Sequence, residues 1–247
     1  MPVATVICHT TRIPDWQPWP GGPPPTDALT VLRLRVPTDP AQLAFWHHFL
    51  QSYEHEQAAR FRQVTDQQRF MVGRGLFRQV GGLLLGQEPQ AVGIEKTQFG
   101  KPFLPDAPNW YLNLSHSGEW VVLAVGRLPV GIDVEFLNRK FAIHDLVPTV
   151  LNAHEEARLT NHPDPHGFFF DCWTRKEALV KATGAGLTDT LVNVPATEGM
   201  HVVQDEWVGA SGTWFVQPFF VDDLFPAALA SVYMKEETSI RFYDYRH

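Results

Sequence analysis

The chain holds 247 residues, 44% of them hydrophobic, with 20 Lys and Arg against 27 Asp and Glu for a formal net charge of −7. That length allows one large domain or two small ones with a core that needs no staples, and its two cysteines, Cys8 and Cys172, match no zinc-ligand spacing. The acidic balance excludes a general nucleic-acid binder, and no run approaches a membrane span or a legible signal peptide, so a cytoplasmic globular protein is expected.

In chain order, the proline-rich stretch 12–26 can hold neither helix nor central strand. It reads as an irregular arm, with Trp16 and Trp19 as its anchors to the body. Leu29 to Val36 alternates as a first strand. Helical periodicity follows from Ala41 to Phe61 and from Asp66 to Leu85, the second stretch opened by a capping box of Thr65 with Gln68. Inside it, Gly73 and Gly75 flank Arg74. Two helical glycines cost roughly 1 kcal/mol each relative to Ala, which implies close packing or a ligand at the backbone. Trp110–Leu114 and Trp120–Val125 read as strands, residues 126–129 as a turn and Val130–Glu135 as another strand. Helices follow at about 143–160 and 168–183, the latter stopped by Gly184-Ala185-Gly186. Alternating, aromatic-rich segments at 200–208, 213–220 and 227–234 read as antiparallel strands. The expected class is α+β: an N-terminal lobe over 1–125 and a similar C-terminal lobe over 126–247.

Chemistry concentrates in short strings. In Gly131-Ile132-Asp133-Val134-Glu135, strand alternation puts Asp133 and Glu135 on one face, about 6–7 Å apart, with Ile132 and Val134 on the other. Two carboxylates held this way repel unless a cation separates them, and hard oxygen ligands suit Mg²⁺. In Trp173-Thr174-Arg175-Lys176-Glu177-Ala178-Leu179-Val180-Lys181, residues Trp173, Glu177 and Lys181 share a helical stripe with Lys176 beside them. Two of the chain's six lysines fall in this nonapeptide. Such a face fits a charged ligand, with the acid for a metal and the lysines for phosphate oxygens. Asn113-Leu114-Ser115-His116-Ser117-Gly118 reads as a loop at a strand end where hydroxyls and imidazole can meet an anion, and Gly100-Lys101-Pro102 as a turn presenting a lysine. Zinc is excluded at His162 and His166, where Pro163 and Pro165 forbid the helix that would join them. No nucleotide-binding glycine loop or nucleophile elbow is present.

In their order and spacing, the strings at Gly100, Asn113, Gly131 and Trp173 resemble those of the 4′-phosphopantetheinyl transferase superfamily, over about residues 54–187, and the length resembles its large, surfactin-synthetase-activating type. The resemblance implies two similar α/β lobes in a pseudo-dimeric arrangement, with the active site in the cleft between them, and a monomeric transferase. It implies movement of the phosphopantetheine arm of coenzyme A to a serine of an apo carrier protein of fatty-acid, polyketide or nonribosomal-peptide synthesis, releasing 3′,5′-ADP. It makes Asp133, Glu135 and Glu177 the Mg²⁺ ligands, and puts Lys176 and Lys181 at the pyrophosphate. Ser115 and His116 fall near the adenosine-side phosphates, Lys101 along the adenine and Arg74 at the 3′-phosphate. Where some members carry lysines, this chain has Glu54 and Gln57. Asp133, Glu177 and Lys181 form the implied catalytic set, with Glu177 or a metal-bound water as base. An inactive coenzyme-A-binding relative and a Mg²⁺-dependent phosphohydrolase are the competing readings. Arg139, Lys140 and Phe141, with the apolar surplus of Ile143, Leu146, Val147, Val150 and Leu151, are the expected carrier-docking patch.

Overall fold

The computed structural model describes residues 2–186, 191–233 and 239–246. It begins with strands β1 (Val3–Cys8), β2 (Gln17–Pro18) and β3 (Leu29–Arg35), then helices α1 (Pro40–His48), α2 (Ser52–Ala58) and α3 (Val64–Leu85). Strands β4 (Glu95–Lys96), β5 (Pro102–Phe103), β6 (Tyr111–Ser117), β7 (Trp120–Gly126) and β8 (Val130–Val134) follow. After helices α4 (Val147–Val150), α5 (Ala153–Thr160) and α6 (Pro165–Thr183) come β9 (Gly199–Gln204), α7 (Asp205–Val208), β10 (Gly212–Asp222), β11 (Phe225–Val232) and β12 (Ile240–Asp244). The fold is α+β. Among the described residues no helix is long and apolar enough to cross a membrane.

The chain divides into two compact units, one of Met1–Pro14 with Pro129–Thr238, the other of Asp15–Leu128 with Ser239–His247. The lobes expected as contiguous, 1–125 and 126–247, therefore exchange their ends. The reason is non-local pairing: β1 lies parallel to β10 and antiparallel to β9, while β12 lies parallel to β3. Neither strand has a sequence neighbour that would reveal it.

In the N-terminal unit the sheet order is β2-β12-β3-β7-β6, and α3 packs on it through Val72, Leu76 and Val80 against Leu32, Leu34 and Leu123. The two glycines around Arg74 serve packing. A Cβ on Gly75 would lie 2.8 Å from the Trp46 ring, and one on Gly73 3.2 Å from Leu114. The expected first helix is two, because Gln51 caps a new start in a capping box with Glu54. Gln63, not Thr65, precedes α3. The Pro/Trp arm is anchored as expected: Trp16 meets Phe242 edge-on at 5.3 Å and Trp19 meets Tyr243 at 5.0 Å.

In the C-terminal unit the sheet order is β8-β11-β10-β1-β9. The stretch expected as one helix over 143–160 breaks into a 3₁₀ turn at Ile143–Asp145, α4 and α5. Pro148 sits in the first turn of α4, and Asn152 opens α5 by accepting hydrogen bonds from the backbone of His154 and Glu155. Ile143, Val147, Val150 and Leu151 are all buried, so the apolar surplus expected on the surface is core. The strand expected over 200–208 stops at Gln204 and turns into α7. Met234, the end of the expected strand 227–234, lies outside the described residues.

Each unit contains the same buried ionic device. Glu54, at the third position of α2, accepts from the Gln51 backbone N–H and from Arg78 Nε at 2.7 Å. Arg78 also donates to the carbonyls of Pro89 and Val92. Glu155, at the third position of α5, likewise accepts from the Asn152 N–H and from Lys176 Nζ at 2.7 Å, and Lys176 donates to the carbonyls of Leu191 and Val192. Both cations are fully buried. The capping glutamate of a short helix thus ties it to the long helix and to a loop beyond.

Helix α6 reaches its strand through a glycine. A Cβ on Gly131 would lie 2.1 Å from the Ala178 carbonyl oxygen and 2.3 Å from Ala182 N, both backbone atoms. Gly131→Ala is therefore expected to push α6 off β8 and destabilise the protein by about 1–3 kcal/mol in chemical denaturation. A variant as stable as the parent would mean that the helix shifts freely. Lys176→Met leaves Glu155 buried without its cation, and a loss of about 3–5 kcal/mol is expected. An unchanged unfolding midpoint would contradict the structural role of Lys176.

Candidate active site

Strand β8 and helix α6 build one cluster within the C-terminal unit. Gly131, Asp133 and Glu135 share a face of the strand, and α6 covers that face at Gly131. Glu177 and Lys181 stand one turn apart on the helix. Lys181 Nζ donates to Asp133 Oδ1 at 2.6 Å. Asp133 and Glu177 are 3% and 6% exposed, whereas the Lys181 side chain is 29% exposed. Ile132 and Val134 are fully buried on the opposite face, as the alternation predicts. Asp133, however, is covered rather than open to solvent.

The electrostatics of this cluster are unbalanced. Burial, then the neighbouring Asp133 charge, pushes the Glu177 carboxyl up to about 7, with Lys181 pulling the other way. Burial works against the Lys181 ammonium, but Asp133, Glu177 and Glu135 outweigh it and hold its pKa above the ordinary lysine range. Glu177 Oε1 is buried with no hydrogen-bond partner. Three carboxylates thus act on one lysine. Among the described residues no three His, Cys, Asp or Glu side chains are gathered as ligands for one ion, so Asp133 and Glu177 come as a pair with Glu135 at the strand's end. Their chemistry fits a hard divalent cation: oxygen donors, surplus negative charge and, at Glu177 Oε1, a buried oxygen without a donor.

Other expected site residues are redistributed. Lys176, expected at a pyrophosphate, is fully buried and engaged by Glu155 and two carbonyls. Its helical stripe is Cys172, Leu179 and Val180, an apolar line that marks it as a core position. Trp173 packs partly against the core, its ring 5.9 Å from that of Phe169. The Ser-His-Ser string is part of β6, paired through Ser117 with β7, and not a loop. Successive strand residues face opposite ways. Ser115 is buried while His116 is exposed and lines a hollow in the N-terminal unit with Phe70, Gly73, Arg74, Phe77, Pro102 and Leu114. Ser115 and His116 therefore do not share a face. Lys101 lies next to Pro102 in a turn closed by Thr97, whose backbone N–H donates to the Lys101 carbonyl.

Arg74 enters the hollow from α3. Its Nε lies 3.2 Å from Glu54 Oε1, its side chain is 10% exposed, and Phe70 and Phe77 flank the guanidinium at 5.7 and 6.0 Å. Glu54, noted in the sequence only as standing where some relatives carry lysines, is thus the anion beneath this arginine. A capping-box spacing with Gln51 was the available signal. At the expected docking patch, Arg139 makes a two-pronged pair with Asp164, the residue that caps α6, at 2.7 and 2.9 Å. Lys140 and Phe141 are exposed.

Both halves of the sequence match proteins of one family. Residues 37–127 match the family model described as 4′-phosphopantetheinyl transferase, N-terminal, and residues 129–225 match that of the 4′-phosphopantetheinyl transferase superfamily. A 4′-phosphopantetheinyl transferase of Bacillus subtilis is 33% identical over 135 residues, 54% of this chain and 59% of that protein. The transferase psf-1 of Bacillus pumilus is 35% identical over 140 residues, 56% of this chain and 59% of its own length. The chain thus spans about three fifths of the length of these two relatives. The transferase HetI of Nostoc sp. is 35% identical over 168 residues, covering 66% of this chain and 71% of that protein. With both units matched in order, the chain belongs to the 4′-phosphopantetheinyl transferase superfamily.

Proposed function

We propose that the protein transfers the 4′-phosphopantetheine arm of coenzyme A to a serine hydroxyl of an apo carrier protein, with Mg²⁺, and releases 3′,5′-ADP. The observation that carries this reading is the buried cluster of Asp133, Glu177 and Lys181, with one Glu177 oxygen lacking any donor. Coenzyme A brings a pyrophosphate and a 3′-phosphate, so neutralising charge is the main task. Mg²⁺, held by Asp133 and Glu177 with Glu135 as a third oxygen donor, would supply Lewis-acid neutralisation of the pyrophosphate when bound.

The chain's own groups do the rest. The serine oxygen forms a bond to the β-phosphorus while the bond to the 3′,5′-ADP oxygen breaks, and the leaving group departs with that electron pair. The serine proton passes to Glu177, whose buried Oε1 carries no hydrogen-bond donor. Lys181, the partly exposed cation of the cluster, faces the charge that develops on the leaving phosphate. In the N-terminal unit, Arg74 and His116 serve the 3′-phosphate and Lys101 the adenine. The hollow that Arg74 and His116 line is about 50 Å³, room for a small group and no more.

The test is the mass of an apo carrier protein after incubation with coenzyme A and Mg²⁺. Asp133→Ala and Glu177→Ala are expected to abolish the gain of one phosphopantetheine while remaining folded, Glu135→Ala to be milder, and Lys181→Ala to slow transfer about tenfold or more. Near-parental rates in Asp133→Ala would sink the reading. Binding of coenzyme A without transfer would favour an inactive relative, and 3′,5′-ADP without carrier labelling a hydrolase.

The carrier contact narrows to Lys140 and Phe141, since Arg139 is engaged by Asp164. A net charge of −7 would repel an acidic carrier, so a local basic and apolar contact must do the docking. Lys140→Glu with Phe141→Ala should raise the KM for carrier and leave coenzyme A affinity intact. An unchanged carrier KM at low ionic strength would move docking elsewhere.

A further inference from the structure

The repeated ionic device isolates Arg74 as an addition to one copy. In the C-terminal unit, Glu155 is satisfied by Lys176, by the Asn152 N–H and, at Oε1, by the Ala196 backbone N–H at 3.1 Å. The position one turn before Lys176 is Cys172, which is buried in the core. In the N-terminal unit, Glu54 has the matching cation, Arg78, and the matching cap, the Gln51 N–H. Its Oε1 instead accepts from the Tyr53 hydroxyl at 3.2 Å and forms an ion pair with Arg74 Nε, also at 3.2 Å. Arg74 lies one turn before Arg78, where the other unit has the cysteine. The packing device does not need it.

The two arginines on Glu54 are spent differently. Arg78 is fully buried, with its three nitrogens on Glu54, on carbonyls and on Tyr53. For Arg74, neither Nη1 nor Nη2 has a hydrogen-bond partner among the described residues, and the side chain lines the hollow with His116. An arginine held by Nε has only its Nη1/Nη2 end left, a fork that matches two oxygens of a phosphate.

We propose that Glu54 is a positioning residue: by holding Arg74 at Nε it turns the Nη1/Nη2 fork toward the hollow, so that the 3′-phosphate of coenzyme A is gripped end-on. This rests on the proposed function, and goes beyond it by assigning the orientation to an acid beneath the arginine. A carboxylate so near an anion site lowers the attraction for phosphate. Its gain is a guanidinium fixed before the ligand arrives.

The experiment compares calorimetric Kd values for coenzyme A and for dephospho-coenzyme A, which lacks the 3′-phosphate. The parent should favour coenzyme A by about tenfold or more, the range of one charge-assisted pair. Glu54→Asp keeps the charge but withdraws the carboxylate from Arg74. It should cut that preference about fivefold or more, with little change for dephospho-coenzyme A. Arg74→Lys separates the two levels. If it leaves the preference intact, the 3′-phosphate reading of Arg74 fails. If it abolishes the preference while folded Glu54→Asp retains it, that reading stands and the positioning role is overturned. Should Glu54→Asp not fold, guanidinium NMR of the parent decides: coenzyme A should shift the Arg74 Nη signals and leave Nε–H in place. A shift at Nε–H would contradict the end-on grip.

Discussion

Helix α6 lies on β8 with no side chain between them at Gly131, its backbone at Ala178 and Ala182 standing where a Cβ would be. That contact sets the distance between the strand that carries Asp133 and the helix that carries Glu177 and Lys181. Everything proposed for the cluster depends on it. At this separation a lysine of ordinary length spans the gap to Asp133 at 2.6 Å, and the glutamate is close enough for its carboxyl to feel the aspartate. A wider gap would place the same residues on two surfaces without joining them.

The rest of the ionic architecture keeps long helices in place. Glu54 with Arg78 and Glu155 with Lys176 are buried pairs whose cations also satisfy loop carbonyls. Removing either partner would strand a charge in the core, which gives such pairs strong control over geometry even where their net stabilisation is small. The two halves share this device although their sequences share no visible repeat. In one half it carries only structure. In the other, Arg74 has been added to it.

Much of the candidate cluster is legible in the sequence because its spacing is local. Strand alternation joins Asp133 to the glycine on which α6 rests, and the i, i+4 step joins Glu177 to Lys181. Lys176 is adjacent to Glu177 in sequence yet points about 100° away, into the line of Cys172 and Val180, so adjacency alone does not reveal its place in the core. The Ser-His-Ser string looked like a loop, but β6 carries it through seven residues of pairing with β7. β1 and β12 escaped because their partners lie far along the chain: Val6 pairs with Trp214 and Phe242 with Val31. The apolar run from Ile143 to Leu151 promised a surface and became core, because the chain turns twice within it.

In the proposed reading, Asp133 and Glu177, brought together by the Gly131 contact, hold a divalent cation beside coenzyme A. The most direct test is anomalous diffraction from crystals grown with Mn²⁺ and coenzyme A. One metal peak about 2.1 Å from carboxylate oxygens of both Asp133 and Glu177, shared with the pyrophosphate, is the predicted result. A metal bound to other residues, with Lys181 still closed on Asp133, would contradict it.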